Sequence, residues 1–256
     1  MTFSLFSLNL WNLNQDVGDR MRRLDTYLSN SKPDVACFQE VSPLELGGRP
    51  QTDLLCKQMP QMTRCYSAQT LWDDREEGLV TLCGLPLIAF DSFKLPRAPG
   101  DGQRQLQISV LKYRRQKFII ANTHLAFREN QDNVRVAQVE TILRYLSSAA
   151  AHHGTDALIL VGDFNATPQS PPVSNVLKDQ LGLRDIFAKA ESRRTQFTYP
   201  AEGTYAEAEA TNRWIDYIFA TNHFDVKSLG LSLNGGRTGD YVSDHVALEA
   251  IFHLAG

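Results

Sequence analysis

Asp156–Pro168 reads DALILVGDFNATP. Ala157 to Val161 is a short, continuous apolar run, which is the pattern of a strand buried on both faces. It delivers an acid, Asp163, and an amide, Asn165, two residues apart, so alternation in an extended backbone would aim both toward one face. Such a pair can orient a water or coordinate a hard cation. The same Gly162 to Asn165 stretch also suits a plain strand-ending turn, because Gly, Asp and Asn are turn residues in their own right.

Working outward, similar apolar runs recur at Phe3 to Leu8, Val35 to Phe38, Gly78 to Leu82, Leu87 to Phe93, Leu106 to Leu111, Phe118 to Ala121, Trp214 to Phe219, Val226 to Leu233 and Val246 to Phe252, and each predicts a strand. Helical spacing appears at Met21, Leu24 and Leu28, and a longer amphipathic helix is predicted across Gln131 to Ala151. Asn9, Glu40, His124 and Asp163 each stand at or just beyond the carboxyl end of an apolar run, where α/β proteins tend to place ligand chemistry. Asp216 interrupts the apolar TNRWIDYIF, Thr211 to Phe219. A carboxylate there needs a cation, a histidine or hydrogen-bond donors; a salt bridge to Arg213 is the structural alternative. Ser243, Asp244 and His245 precede the last run, where Asp and His can serve a metal and a phosphate or simply cap a strand. Taken singly, Glu40 reads as a solvated strand end and His124 as a structural histidine. Together the carboxylates, amides and two histidines, with no thiolate or zinc-type histidine pair, make an oxygen-rich set suited to Mg²⁺ or Mn²⁺.

The bulk properties agree with an ordinary globular chain. Its 256 residues carry 26 Lys plus Arg against 29 Asp plus Glu, a net charge of −3, and 43% are hydrophobic. That length suits one large core spanning residues 1–256, and no repeat or long linker divides it. A sequence pI near 6.1 argues against a surface that grips nucleic acid everywhere, though a local basic patch is compatible with it. Tyr113 to Lys117, YRRQK, reads as a solvated hairpin turn, and His152 and His153 as the end of the long helix. The four cysteines, Cys37, Cys56, Cys65 and Cys83, form no CxxC pair, which fits free thiols in a reducing, cytoplasmic setting. The first residues show no basic n-region or cleavage signal, and no apolar run reaches membrane-spanning length. Neither secretion nor a membrane span is expected.

The set of motifs resembles the endonuclease/exonuclease/phosphatase superfamily of metal-dependent phosphohydrolases, which includes AP endonucleases and pancreatic-type deoxyribonucleases. The motifs run in order along nearly the whole chain: SLNLWN with Asn9, FQEV with Glu40, EGLVTL from Glu77 to Leu82, NTHL with His124, GDFNATP with Asp163 and Asn165, WIDYIF with Asp216, and SDH with Asp244 and His245. The resemblance implies a four-layer α/β sandwich, two packed mixed or antiparallel sheets flanked by helices, with the site at one end. It implies that Glu40 binds Mg²⁺ (Mn²⁺ as a substitute), aided by Asn9 and Asp244. Asp163 would orient or deprotonate the attacking water, with Asn165 holding it or a phosphate oxygen. His245, supported by Asp216, would contact the scissile phosphate, and His124 would bind phosphate or assist the leaving group. Two departures stand out: Trp11 replaces a frequent Asp, and Cys83-Gly84 replaces a frequent Ser-Arg.

The expected function is therefore Mg²⁺-dependent phosphodiester hydrolysis on nucleic acid. A phosphatase for a small-molecule or lipid-headgroup phosphate is the alternative within the class, favoured by Glu202, Glu207 and Glu209 near Asp216; Arg193 and Arg194 weigh toward nucleic acid. A non-catalytic binding member of the same fold is the alternative outside it.

Overall fold

The computed structural model describes residues 2–43, 45–46, 49–57, 59–70, 76–203, 205–206, 210–235 and 241–255. In chain order its strands are β1 (Phe3–Asn9), β2 (Val35–Val41), β3 (Glu45–Leu46), β4 (Arg49–Pro50), β5 (Thr63–Thr70), β6 (Glu76–Cys83), β7 (Leu87–Lys94), β8 (Gln105–Tyr113), β9 (Gln116–His124), β10 (Leu158–Asp163), β11 (Arg184–Asp185), β12 (Asp216–Ala220), β13 (Phe224–Ser232) and β14 (Ala247–Leu254). The helices are α1 (Val17–Ser31), α2 (Gln51–Cys56), α3 (Asp132–His153), α4 (Pro171–Lys178) and α5 (Ser192–Thr195).

Two six-stranded sheets form, in the orders β13-β14-β1-β2-β6-β5 and β11-β12-β10-β9-β8-β7. Both are mixed in the same way. Each holds one parallel pair, β1 with β2 and β9 with β10, among antiparallel neighbours. Parallel neighbours need a crossover, and α1 and α3 supply it. The central strands of both sheets therefore deliver their carboxyl ends to the site.

Alternation along β1 shows how the layers are built. Phe3 and Leu5 enter the large core shared with β8, β9 and β10, whereas Phe6 and Leu8 pack with Met21, Leu24 and Leu28 of α1. Odd positions thus face the other sheet and even positions face the helix layer. On the far side, Val139, Ile142 and Leu146 of α3 join the core beside α4. This is the sandwich expected from the motifs.

Beneath the site the two sheets are tied by buried amides. Gln39 Nε2 donates to Asn122 Oδ1 (2.8 Å), Asn122 Nδ2 donates to the Phe38 and Val80 carbonyls (3.2 and 3.1 Å), and Gln107 Nε2 donates to the Leu79 carbonyl (2.9 Å). Directional bonds of this kind fix the sheets' relative position more tightly than apolar contact does.

The apolar runs all become strands, with shifted bounds. The run beginning at Trp214 enters its sheet only at Asp216, so this acid starts β12 rather than interrupting it. Tyr113 to Lys117 does hold the β8–β9 turn. The long helix ends with His152 and His153 and is capped by left-handed Gly154. Cys37, Cys65 and Cys83 are buried free thiols. Burial pushes the Cys37 thiol up to about 12. The Cys56 side chain lies outside the described residues. Among the described residues no helix is long and apolar enough to cross a membrane.

Candidate active site

At the shared end of the two sheets, Asn9 closes β1, Glu40 nears the end of β2, His124 closes β9 and Asp163 closes β10. Parallel register sets Asp163 beside His124, and antiparallel register sets it opposite Asp216. Asp216 therefore reaches the site from the amino end of its strand. Alternation alone would turn Glu40 toward the helix layer with Ala36 and Phe38. The β2–β6 register breaks between Phe38 and Val41, and left-handed backbone at Glu40 (φ 51°) re-aims its side chain.

Strain is concentrated here. Four of the eight non-glycine residues with positive φ among those described, Trp11, Asn12, Glu40 and Asn165, lie in the site loops or, for Glu40, near the end of β2. Each such conformation costs about 1–3 kcal/mol and persists only where its surroundings enforce it. Gly162 is needed for a different reason: at φ 141° a Cβ would overlap the Thr123 carbonyl on β9.

The side chains form one bonded group. Asn9 Nδ2 donates to Glu40 Oε1 (3.1 Å) and Asp163 Oδ2 (3.0 Å), while its Oδ1 accepts from the Trp11 N–H (2.9 Å). Asp163 Oδ1 accepts from the Asn165 N–H (2.8 Å). The two residues of GDFN thus converge through a turn, not through strand alternation, because Asn165 is left-handed (φ 47°) and outside the strand. The Asn165 amide lies 3.1 Å from His124 Nε2, which is 3.4 Å from Asp163 Oδ2 and 3.8 Å from Glu40 Oε1. His245 Nδ1 bonds Asp216 Oδ2 at 2.9 Å, so Asp216 pairs with the histidine rather than with Arg213, and His245 Nε2 lies 3.7 Å from Asp163 Oδ2. Asp244 is buried and held by Ser243 Oγ (3.1 Å).

Arg104 was not visible as a site residue in the sequence. Its Nη1 bonds both Glu77 Oε1 (2.6 Å) and His124 Nδ1 (2.9 Å). Guanidinium can only donate, so Nδ1 accepts and the neutral ring carries its proton on Nε2, facing the site; with Asn165 Nδ2 placed 3.1 Å from Nε2, this tautomer requires the Asn165 amide to turn its oxygen to the ring. Thr198 was missed as well. Its Oγ1 accepts from the Ile215 and Asp216 N–H groups (2.9 and 3.1 Å), and its carbonyl accepts from the Val246 N–H (2.8 Å), fixing Asp216 and the His245 loop together.

Five carboxylates crowd this end: Glu40, Glu77, Asp163, Asp216 and Asp244. Burial pushes Asp163 up to about 7, with Asp216 adding to the rise and His245 opposing it. Burial likewise lifts Asp244 to about 6 and Glu77 to about 8, the latter with help from Glu40. Burial and then Arg104 hold His124 well below the usual histidine range. His245 goes the other way: burial disfavours its charge, but Asp216, Asp244 and Asp163 outweigh it and keep the ring protonated.

This excess of negative charge and oxygen donors fits a hard cation. Asp163, Asp216 and His245 offer atoms within 4.8 Å of one another and could hold one. A protonated imidazole cannot ligate, however, and its Nδ1 is spent on Asp216. Glu40, whose side chain is 22% exposed, is the carboxylate at the mouth, with Asn9 and Asp244 beside it.

Trp11 belongs to neither apolar cluster. Its ring packs against the Arg20 guanidinium (5.1 Å) and the Tyr205 ring (5.6 Å). Arg193 is not free for substrate charge as a whole, because it pairs with Asp185 (3.0 Å) and stacks on Trp214 (4.1 Å). Arg194 and Glu202 are exposed, and Glu207 and Glu209 lie outside the described residues.

Fold and site define the class first: two mixed sheets in an α/β sandwich, with acids, amides and histidines gathered at one end, in the manner of phosphoric ester hydrolases. The model described as the Endonuclease/Exonuclease/phosphatase family matches residues 6–245, and the chain belongs to that family. It is 32% identical over 153 residues to Protein angel of Drosophila melanogaster, covering 53% of this chain and 41% of that protein. It is 22% identical over 180 residues to the probable CCR4-Not complex 3'-5'-exoribonuclease subunit Ccr4 of Vairimorpha ceranae, covering 60% of this chain and 36% of that one. The chain thus spans about two fifths of these relatives' length. Among solved structures, the human Nocturnin catalytic domain with bound sulfate superposes with a TM-score of 0.78 at 19% identity, covering 99% and 94% of the two chains. TDP2 of D. rerio, complexed with single-strand DNA product, does so at 0.79 and 19%, covering 98% and 99%.

Proposed function

We propose that residues 1–256 form one catalytic domain that hydrolyses phosphodiester bonds of nucleic acid with Mg²⁺, Mn²⁺ serving as a substitute. The observation that carries this reading is the bonded group of Asn9, Glu40, His124, Asp163, Asn165, Asp216 and His245, with opposite protonation of its two histidines. Ccr4 of V. ceranae, described as a probable 3'-5'-exoribonuclease, and D. rerio TDP2, bound to single-strand DNA product, support a nucleic-acid substrate.

Glu40 and Asp244, with the remaining lone pair of Asn9 Oδ1, would hold the cation. When bound it would neutralise charge on the phosphate and lower the barrier to attack. Asp163 accepts two hydrogen bonds that leave it facing His245 and His124, where it aligns a water and takes its proton. His245, kept cationic by Asp216, binds a non-bridging phosphate oxygen, as preorganised charge must at the point where negative charge builds up. His124 presents a neutral Nε2–H, a donor for phosphate or the leaving oxygen, and Asn165 adds an amide beside it. The closely packed strand ends hold these groups before substrate arrives, so little reorientation is needed on binding.

A panel of single- and double-stranded DNA, RNA, an abasic-site duplex and phosphorylated small molecules tests the reading. Hydrolysis of at least one nucleic acid with Mg²⁺ is expected. Turnover of a sugar, nucleotide or lipid-headgroup phosphate alone would replace it with the small-substrate reading.

A further inference from the structure

Next to the site on the Asp216 side, a groove of about 920 Å³ follows the edge of the sandwich. It begins at Thr167 and Pro168, just past Asn165, passes β11, and reaches Val226 on β13. Val226 pairs with Phe252, toward the end of β14 remote from His245. The groove and the site share a wall: the Arg213 guanidinium lies over the Tyr199 ring (4.7 Å), which packs edge-on against His245 (5.2 Å).

Two features of this groove ask for an anionic chain. Its lining is cationic, with Arg184 and Lys189 exposed and Arg213 half-buried, while its acid, Asp185, is neutralised by Arg193. The second is an exposed aromatic face. Phe197, 39% exposed, lines the same groove and offers a face for base stacking.

We propose that the groove holds the stretch of a single-stranded polynucleotide that extends beyond the scissile bond, with Arg184, Lys189 and Arg213 taking its phosphates and Phe197 a base. This rests on the nuclease reading and adds to it a preference for length. Only a few phosphates are gripped, which fits the net charge of −3.

The test compares kcat/KM and binding for dinucleotides and strands of about 12 nucleotides, as DNA and as RNA, with a small chromogenic phosphodiester alongside. Wild-type kcat/KM should rise about tenfold or more with length. The double variant Arg184→Glu/Lys189→Glu should lose most of that rise and flatten the salt dependence by about 1.4 in log–log slope, roughly 0.7 for each phosphate contact. Arg114→Glu/Arg115→Glu makes the same charge change at the β8–β9 turn, at the opposite end of β9 from His124, and should keep the rise. Rates independent of length, a rise that survives in the groove variant, or equal loss in both variants would each overturn the groove and leave the nuclease reading standing. If neither DNA nor RNA strands are bound or cleaved while the small diester is turned over, both fall.

Discussion

Replacing Asp163 with Asn should separate what this carboxylate does for catalysis from what it costs the fold. In the folded chain burial holds it protonated to about pH 7, against 3.8 for an ordinary carboxyl. A group whose folded pKa lies above its unfolded value makes folding less favourable as pH climbs between the two. At 1.36 kcal/mol per pH unit the penalty reaches about 4 kcal/mol above pH 7. Asn has the same shape and never ionises, so it avoids that penalty. It gives up the bond from Asn9 Nδ2 to Oδ2, which is worth about 1 kcal/mol. With cations chelated at about pH 8, Asp163→Asn should therefore be about 3 kcal/mol more stable than wild type, some 6–12 °C in Tm for a chain of this size. Near pH 5, where wild-type Asp163 keeps its proton, the gap should shrink to below about 1 kcal/mol. The same variant should lose about 10² to 10⁴ in kcat with little change in KM. Thermal melts in EDTA across this pH range provide the measurement. A variant no more stable than wild type near pH 8, or a gap that does not narrow on acidification, would refute the reasoning, and near-wild-type kcat would remove Asp163 from the mechanism.

If Asp216 acts by charging and orienting His245, His245→Ala and Asp216→Ala should each be strongly impaired and the double variant little worse than the poorer single; multiplicative losses in kcat/KM would show independent roles. Gly162→Ala should cost at least about 3 kcal/mol in urea denaturation, since both its φ and the Thr123 carbonyl exclude a Cβ, and a loss within about 0.5 kcal/mol would contradict the packing of β10 on β9. Arg104→Met leaves Glu77 Oε1 and His124 Nδ1 without their donor and should cost about 1–3 kcal/mol near neutral pH, where Glu77 keeps its proton. Because Glu77 would then hold its proton to still higher pH, this destabilisation should grow as pH rises through about 8 in denaturation curves, and a pH-independent loss would speak against the pair.

Much of the site was legible because it is written at strand ends. Asn9, Glu40, His124 and Asp163 follow apolar runs directly, and the two parallel pairs gather those ends in space. What the sequence hid depends on partners far along the chain. Arg104 looks like one more polar residue before β8 until β9 brings His124 against it. Glu40 reaches the site only through a register break and left-handed backbone, which alternation does not foretell. Strand β5, TRCYSAQT, has no apolar signature because it lies at a sheet edge, with β6 as its neighbour on one side alone. Helix α4 is too short for a periodic signal, and Trp11, which stands where relatives often have Asp, packs against Arg20 and Tyr205.

The most direct test of a cation-assisted phosphodiesterase is turnover after exhaustive dialysis against EDTA, followed by back-titration with Mg²⁺, Mn²⁺ and Zn²⁺, for wild type and Glu40→Gln on a single-stranded oligonucleotide and a small phosphodiester. The site described here predicts no turnover in chelator, recovery with Mg²⁺ or Mn²⁺, and for Glu40→Gln a demand for far higher cation concentration. Full turnover in EDTA, or recovery with Zn²⁺ alone, would contradict it.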